Sequence, residues 1–373
     1  MSSKIAVLGA NEPSIPFYRQ AKALGYEIIG IAYEQGAVCK KYCDRFYPVS
    51  FADKDKVLAI CKEEKIDGII SFSLESALPT LVYVATAMGL VSNSEECVKL
   101  TQSKYAQRQA LKKAGIPVPK YYLIENMAEL NQVQCLYPVI VKPVDSGGSQ
   151  GICKVETPDK LVAAYEYAVE YSRTSRAIVE EFVDGREFSV EYISHNGKHY
   201  FLQITDKVTS GAPRFVEMQH HQPANIPSSV WERIKTMVES ALTALKIENS
   251  ASHTEIKWNS NDELFIIETG ARMGGDFITS DLVRLSTGYD FVDGAIKLAI
   301  NQFEIPVFPK RMFSGVYFYS KLAPEVGEII KQHGKWPEIV ECDYSDEPLM
   351  DVKSNADRRG YLLYQTSKGR LNF

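Results

Sequence analysis

Lys142 closes the apolar run VIVK. Ser146, Gly147, Gly148, Ser149 and Gly151 follow it, small residues whose backbone N–H groups can turn toward an anion with the ammonium close behind. Such a stretch reads as a phosphate cradle. It is not a Walker A loop, because G-x-x-x-x-G-K-[ST] occurs nowhere in the chain. Residues 147–151 also spell G-x-S-x-G, a nucleophile elbow with Ser149 as nucleophile, but an elbow requires a strand, a sharp turn and then a helix. Here β-branched GICKVET follows, and the next helix start is Thr157-Pro158-Asp159, so strand, loop and strand are expected. A bare hairpin tip is the remaining alternative.

The segments HTEIKW and ELFIIE carry the second set of chemical residues. With residues 259–262 as the turn, Trp258 pairs with Glu263 and Glu255 falls opposite Ile266. Glu268 then lies on the same face as Glu255, a diagonal neighbour roughly 7–8 Å away at the backbone. Two carboxylates placed this way repel unless a cation joins them, and Mg²⁺ suits one or two carboxylates completed by phosphate oxygens and water. His253 is expected opposite Glu268. The alternative is a solvated hairpin, which Phe265, Ile266 and Ile267 make too apolar for full exposure. Just beyond, GARMGG sets Arg272 in a glycine-flanked loop, where a guanidinium can clamp a phosphate or carboxylate at two points.

Elements must bring these segments together. KIAVL, a helix in IPFYRQAKALG, the strand YEIIGIAY, a helix in DKDKVLAICKEEK, the strand DGIISFS and a helix ending at MGL alternate as an open parallel sheet over residues 1–95. Residues 96–115 read as helical. Strands and hairpins follow, the clearest being EFSVEYISHNGKHYFLQI around Asn196-Gly197, a pair preferred in type I′ turns. After about residue 305 the chain becomes Pro-rich and then strand-like, which predicts a small C-terminal domain.

The 373 residues are 45% hydrophobic, enough for a substantial core, and 42 basic against 47 acidic residues give a net charge of -5 with no basic stripe. Nucleic acid and anionic membranes are therefore not expected partners. Seven scattered cysteines and no signal-like opening fit a cytoplasmic protein.

Taken in order, Lys142 and its loop, IVEEFVDGREFSVE, HTEIKW and FIIETGARMGG resemble the ATP-grasp superfamily over about residues 1–303. H-x-E followed by I-E-x-x-x-R-x-G-G is most similar to its carboxylate-amine ligases, the branch of the L-amino acid ligases. The resemblance implies an α/β and α+β architecture: a Rossmann-like domain over 1–95, an ATP-grasp domain over 96–303 with a lid at about 120–185, and a small domain over 304–373. It implies that Lys104 and Lys142 hold the α- and β-phosphates of ATP and that the Ser146–Gly151 loop closes over them. Glu180, Glu181, Phe182 and Val183 would read adenine, mostly through the backbone of Glu181 and Val183, with Glu187 on the ribose. Glu255 and Glu268 would bind Mg²⁺, or Mn²⁺ in its place, and Arg272 would stabilise an acyl phosphate. The family's usual Asn two residues after the last metal-binding Glu is replaced here by Gly270. The implied reaction joins a small-molecule carboxylate to an amine, releasing ADP and phosphate, and a homodimer is compatible with it.

Other motifs weigh less. VLGANEPS has one glycine where a dinucleotide fingerprint needs three, and Cys39 and Cys43 lack a second ligand pair for zinc. Glu75, His221 and His253 are candidates for contacting substrate. The rival readings are another ATP-grasp chemistry, of the carboxyphosphate or nucleotide-biosynthesis type, and a nucleotide-binding protein without catalysis.

Overall fold

In a computed structural model that describes residues 2–148, 150–212 and 214–373, three sheets follow one another along the chain. The first is parallel, with β1 (Lys4–Leu8), β2 (Glu27–Ala32), β3 (Arg45–Pro48) and β4 (Gly68–Ser71) in the order 3-2-1-4. β1 and β2 are buried almost throughout, as expected of strands covered on both faces. β3 is an edge strand with exposed ends. Past β4 the chain turns through Glu75 into the helix Leu78–Met88, which leaves Glu75 at the carboxyl edge of the sheet.

The helical stretch 96–115 is two helices, Glu95–Thr101 and Lys104–Lys113. The break comes at Ser103, whose hydroxyl accepts from the Ala106 N–H as an N-cap. It places Lys104 in the first turn of the second helix, with its N–H donated to the Val144 carbonyl 2.8 Å away.

The second sheet is antiparallel, in the order β5 (Tyr121–Ile124), β8 (Ala177–Glu181), β6 (Val139–Pro143), β7 (Cys153–Val155), and packs on the helix Leu161–Glu170. The third has eight strands: β9 (Arg186–His195), β10 (Lys198–Thr209), β11 (Glu217–Gln222), β12 (Ser250–Trp258), β13 (Leu264–Gly270), β14 (Phe313–Tyr319), β15 (Ile339–Tyr344) and β16 (Gly360–Thr366). Their order is 13-12-9-10-11-14-16-15. Asn196 and Gly197 both have positive φ at the β9–β10 turn, as a type I′ hairpin requires. The strands after residue 305 build no sheet of their own: β14 pairs with β11, so the C-terminal strands extend the large sheet and cover an edge that would otherwise be open.

One face of the large sheet is apolar, with Phe188, Val190 and Tyr192 packed with Ile234, Val238 and Leu242 of the helix Ser228–Ala244. The other face of β9 presents Glu187 and Glu191, which strand alternation puts opposite that core. Among the described residues all seven cysteines are free, and no helix is long and apolar enough to cross a membrane.

Candidate active site

The carboxylate pair is closer than the sequence predicts. Asn259 Oδ1 accepts from the N–H groups of Asn261 and Glu263, which lengthens the turn so that Trp258 pairs with Leu264 instead of Glu263. A bulge after Glu255 then shifts the register again. Glu255 therefore sits directly opposite Glu268 and His253 opposite Gly270, not diagonal to Glu268 and opposite it as expected.

Each of these carboxylates meets a buried lysine. Lys104 Nζ lies 2.6 Å from Glu268 Oε1 and 2.9 Å from the Ser146 carbonyl. Lys207 Nζ lies 2.6 Å from Glu255, 2.9 Å from Glu217 and 3.0 Å from Glu187. Burial works against the Lys207 charge, but Glu217, Glu255 and Glu187 together hold its pKa well above the ordinary value. With three carboxylates facing one ammonium, burial and the neighbouring Glu187 and Glu255 push Glu217 up to about 7.

A cation site can be tested on these donors. Oxygens of Glu187, Glu217 and Glu255 lie within 4.8 Å of one another, a hard all-oxygen set of the kind Mg²⁺ or Mn²⁺ accepts. Lys207 answers that trio and Lys104 answers Glu268, so a cation between Glu255 and Glu268, which pair across two strands, would share their carboxylates with both ammonium groups. The residues fit a divalent cation.

Arg272 lies beside the pair. Its Nη1 donates to the Met273 carbonyl at 3.1 Å, its Nη2 is 3.9 Å from Glu75 Oε2, and its buried Nε has no hydrogen-bond partner among the described residues. Burial raises the Glu75 pKa, Arg272 opposes that shift and Glu268 adds to it. At Gly270 a Cβ would lie 3.2 Å from Glu75 Oε1 and 3.3 Å from Arg272 Nε, so a side chain there would press on both of these residues. His253 donates from Nδ1 to Glu191 at 2.5 Å and stands 3.7 Å from Glu255. Burial lowers its pKa, but Glu191 and Glu255 outweigh this and raise it to about 9.

The small-residue loop joins antiparallel β6 and β7, so no helix follows and the elbow geometry is absent. Gly148 and Gly151 adopt positive φ, and a Cβ on Gly151 would meet Pro143 Cγ at 2.8 Å. Ser146 Oγ donates to the Tyr171 carbonyl, and Gly147 approaches Glu75, whose Oε2 would be 3.9 Å from a Cβ there. Ser149 lies outside the described residues. Behind the loop, Lys142 Nζ is 2.5 Å from Glu180 Oε2, and Arg108 Nε is 2.6 Å from Glu180 Oε1. Burial would raise Glu180, yet Arg108 and Lys142 bring it down to about 2. Glu181 donates its N–H to the Lys120 carbonyl, which leaves its own carbonyl as the group it can offer a base. Phe182 lies between the ammonium groups of Lys154 and Lys257, at 4.3 and 5.0 Å from the ring centre, and Val183 beside it is half-buried.

His221 is not brought to this cluster. It is buried on the other face of β11, with Nδ1 2.9 Å from the Tyr364 hydroxyl and Nε2 3.0 Å from Gln219 Oε1. Its neighbour His220 faces the site, 1% exposed, 3.9 Å from Glu217, with neither ring nitrogen hydrogen-bonded among the described residues. Arg358, from the C-terminal part of the chain, closes that side by pairing with Asp276 at 2.6 Å.

Sequence reasoning missed Lys207, Glu217, Glu191 and Arg108. The β9–β10 turn, extended without a break, sets Lys207 opposite Arg186; a bulge between Phe201 and Gln203 moves it opposite Glu187. Arg108 was within reach, since it lies four residues after Lys104 and so on the same helix face.

A family model described as an ATP-grasp domain matches residues 135–281. An uncharacterised protein of Sinorhizobium fredii is 28% identical over 250 residues, covering 65% of this chain and 50% of the relative. The formate-dependent phosphoribosylglycinamide formyltransferase of Haemophilus ducreyi is 25% identical over 251 residues, covering 65% of this chain and 63% of the relative. The chain thus spans half to just under two thirds of these curated relatives. Among solved structures, an L-amino acid ligase from Bacillus licheniformis aligns with a TM-score of 0.82 at 22% identity, covering 98% of this chain and 94% of the other. The N5-carboxyaminoimidazole synthetase of Staphylococcus aureus complexed with ADP aligns with a TM-score of 0.80 at 15% identity, covering 98% and 94%. These structural likenesses show a shared fold.

Proposed function

We propose, on the premise that the chain belongs to the ATP-grasp superfamily, that it is an ATP-dependent carboxylate–amine ligase. The observation that carries the reading is a cluster of ion pairs: Lys104 meets Glu268 and Lys207 meets Glu255, which pair across two strands, while Lys142 meets Glu180 and Arg272 stands beside Glu75. Phosphoryl transfer to a carboxylate asks for little covalent help from the protein: two anions must be held together while charge moves between them. Lysines and an arginine meet that need.

In this reading Lys104 and Lys142 bind the phosphates beside the Ser146–Gly151 loop, and residues 180–183 with Glu187 take the nucleoside. Glu255 and Glu268 would hold Mg²⁺, which neutralises phosphate charge when bound. A substrate carboxylate oxygen attacks the γ-phosphorus, the bond to the bridging oxygen breaks, and ADP leaves. The amine then attacks the acyl carbon of the mixed anhydride, the carbon–oxygen bond to phosphate breaks, and an amide and phosphate result. Arg272 faces the acyl phosphate oxygens. His253, whose pKa burial lowers but Glu191 and Glu255 raise to about 9, would supply positive charge beside Glu255. Glu75, beside Arg272, would hold the ammonium or take its proton.

A second reading, in which the acid is a one-carbon acid such as formate or bicarbonate, is favoured by the likeness to the formate-dependent enzyme. One experiment addresses both: phosphate release from ATP and Mg²⁺ with amino acids, formate and bicarbonate, singly and paired with amines. Full turnover is expected only when an acid and an amine are both present, with ADP as coproduct. Pyrophosphate and AMP would mean adenylation and would end the acyl-phosphate reading.

A further inference from the structure

Three buried side chains behind the small-residue loop form a chain of contacts, Arg108 to Glu180 to Lys142. Arg108 is wholly buried, Glu180 is 3% exposed and Lys142 4%. Arg108 grips Glu180 at two points, Nε to Oε1 at 2.6 Å and Nη2 to Oε2 at 3.2 Å, and Nη2 also donates to the Ile267 carbonyl at 2.6 Å. Lys142 shares the same carboxylate through Oε2. Two cations therefore divide one anion. We infer that Arg108 is a positioning residue that occupies Glu180 and so leaves the Lys142 charge available to a phosphate; this rests on the reading of Lys142 as a phosphate ligand.

The geometry argues for division of labour. A guanidinium with a two-point grip holds a carboxylate in a defined plane, whereas an ammonium is a mobile point charge that can turn from one anion to another. Glu180 lies diagonal to Lys142 on one face of the lid sheet, since Ile140 pairs with Glu180 and Lys142 with Ile178. Without Arg108, Glu180 would face Lys142 alone as a closed, neutral, buried pair, and a phosphate would have to break that pair to reach the lysine. With Arg108 present the trio carries a surplus positive charge. The low value of Glu180 and the burial-lowered value of Lys142, which Glu180 only partly offsets, agree with one carboxylate shared by two cations. Because Arg108 rides on the same helix as Lys104, Lys104–Lys113, one element supplies a phosphate-facing lysine and readies the other.

The test is a double-mutant cycle read by calorimetric titration of ADP and of adenosine. Arg108→Met should weaken ADP by roughly tenfold while adenosine changes little, since coupling between contacting residues is of that order. In a Glu180→Gln background the same Arg108→Met change should cost ADP nothing, because no carboxylate remains to capture Lys142. Should Arg108→Met not fold, Arg108→Lys serves instead: it keeps the charge without the two-point grip and should show a smaller loss, again confined to ADP. Equal weakening of ADP and adenosine, or a loss that persists in the Glu180→Gln background, would reduce Arg108 to a packing residue and overturn the inference. Lys142→Ala separates this from the underlying reading: if it leaves ADP affinity unchanged, Lys142 is not a phosphate ligand, and that premise fails first.

Discussion

Arg272→Ala is expected to lower kcat by roughly 10²–10³ while leaving ATP affinity within a few-fold, the scale seen when one preorganised charge is lost at a reacting centre. The expectation follows from how the site's charges are spent. Lys104, Lys142 and Lys207 each have a carboxylate within 3.0 Å, whereas the carboxylate neighbour of Arg272, Glu75, stands 3.9 Å away. The guanidinium is thus the least compensated of these cations and the best placed to answer charge that develops during transfer. Arg272→Lys should rescue little, because an ammonium cannot reproduce a planar two-point contact. Steady-state kinetics with nucleotide titration separates the outcomes. An alanine variant with near-normal kcat, or with its whole loss in the Kd for ATP, would move Arg272 out of the acyl-phosphate step.

Lys207→Met should have the largest effect on stability. It removes the ammonium from among Glu187, Glu217 and Glu255 and leaves their oxygens, within 4.8 Å of one another, to the more distant His253, 3.7 Å from Glu255, and Lys257, 3.9 Å from Glu187. Stripping one partner from a buried ionic group costs about 3–5 kcal/mol. The sign of two further effects can be stated. Adding Mg²⁺ or Ca²⁺ should raise the melting temperature of Lys207→Met more than that of the wild type, because the trio then offers a cation site. Lowering the pH from 8 to 5 should narrow the gap, because protonation relieves carboxylate repulsion, beginning with Glu217, whose pKa is about 7 even beside Lys207. Thermal melts with and without the cation check both. A variant that melts within about 2 °C of the wild type and ignores divalent cations would show that Lys207 does not balance this cluster.

What the sequence disclosed, and what it withheld, follows from the range of the forces involved. The parallel strands of the first sheet were legible because complete burial writes a continuous apolar run, as in KIAVL. β3 was not, because an edge strand of four half-exposed residues carries no such run. Lys142, Glu255, Glu268 and Arg272 were legible as chemistry, because lysine after a strand, paired glutamates on a hairpin and arginine between glycines are local patterns. The contacts among them depend on two bulges, one after Glu255 and one near Phe201, and a bulge moves every later residue by one place without a reliable mark in the sequence. For the same reason Lys207 escaped notice while Glu187 did not. Glu180 was singled out by resemblance, but its bonds to Arg108 and Lys142 come from segments 72 and 38 residues away in the chain, beyond any local pattern.

The most direct test of the central claim follows one oxygen atom. An acid chosen from the phosphate-release panel is labelled with ¹⁸O in its carboxylate and turned over with ATP, Mg²⁺ and an amine, and the released phosphate is analysed by mass spectrometry. If the carboxylate attacks the γ-phosphorus and the amine later displaces phosphate at carbon, one labelled oxygen must leave in the phosphate. Unlabelled phosphate, or label in AMP, would contradict acyl-phosphate formation.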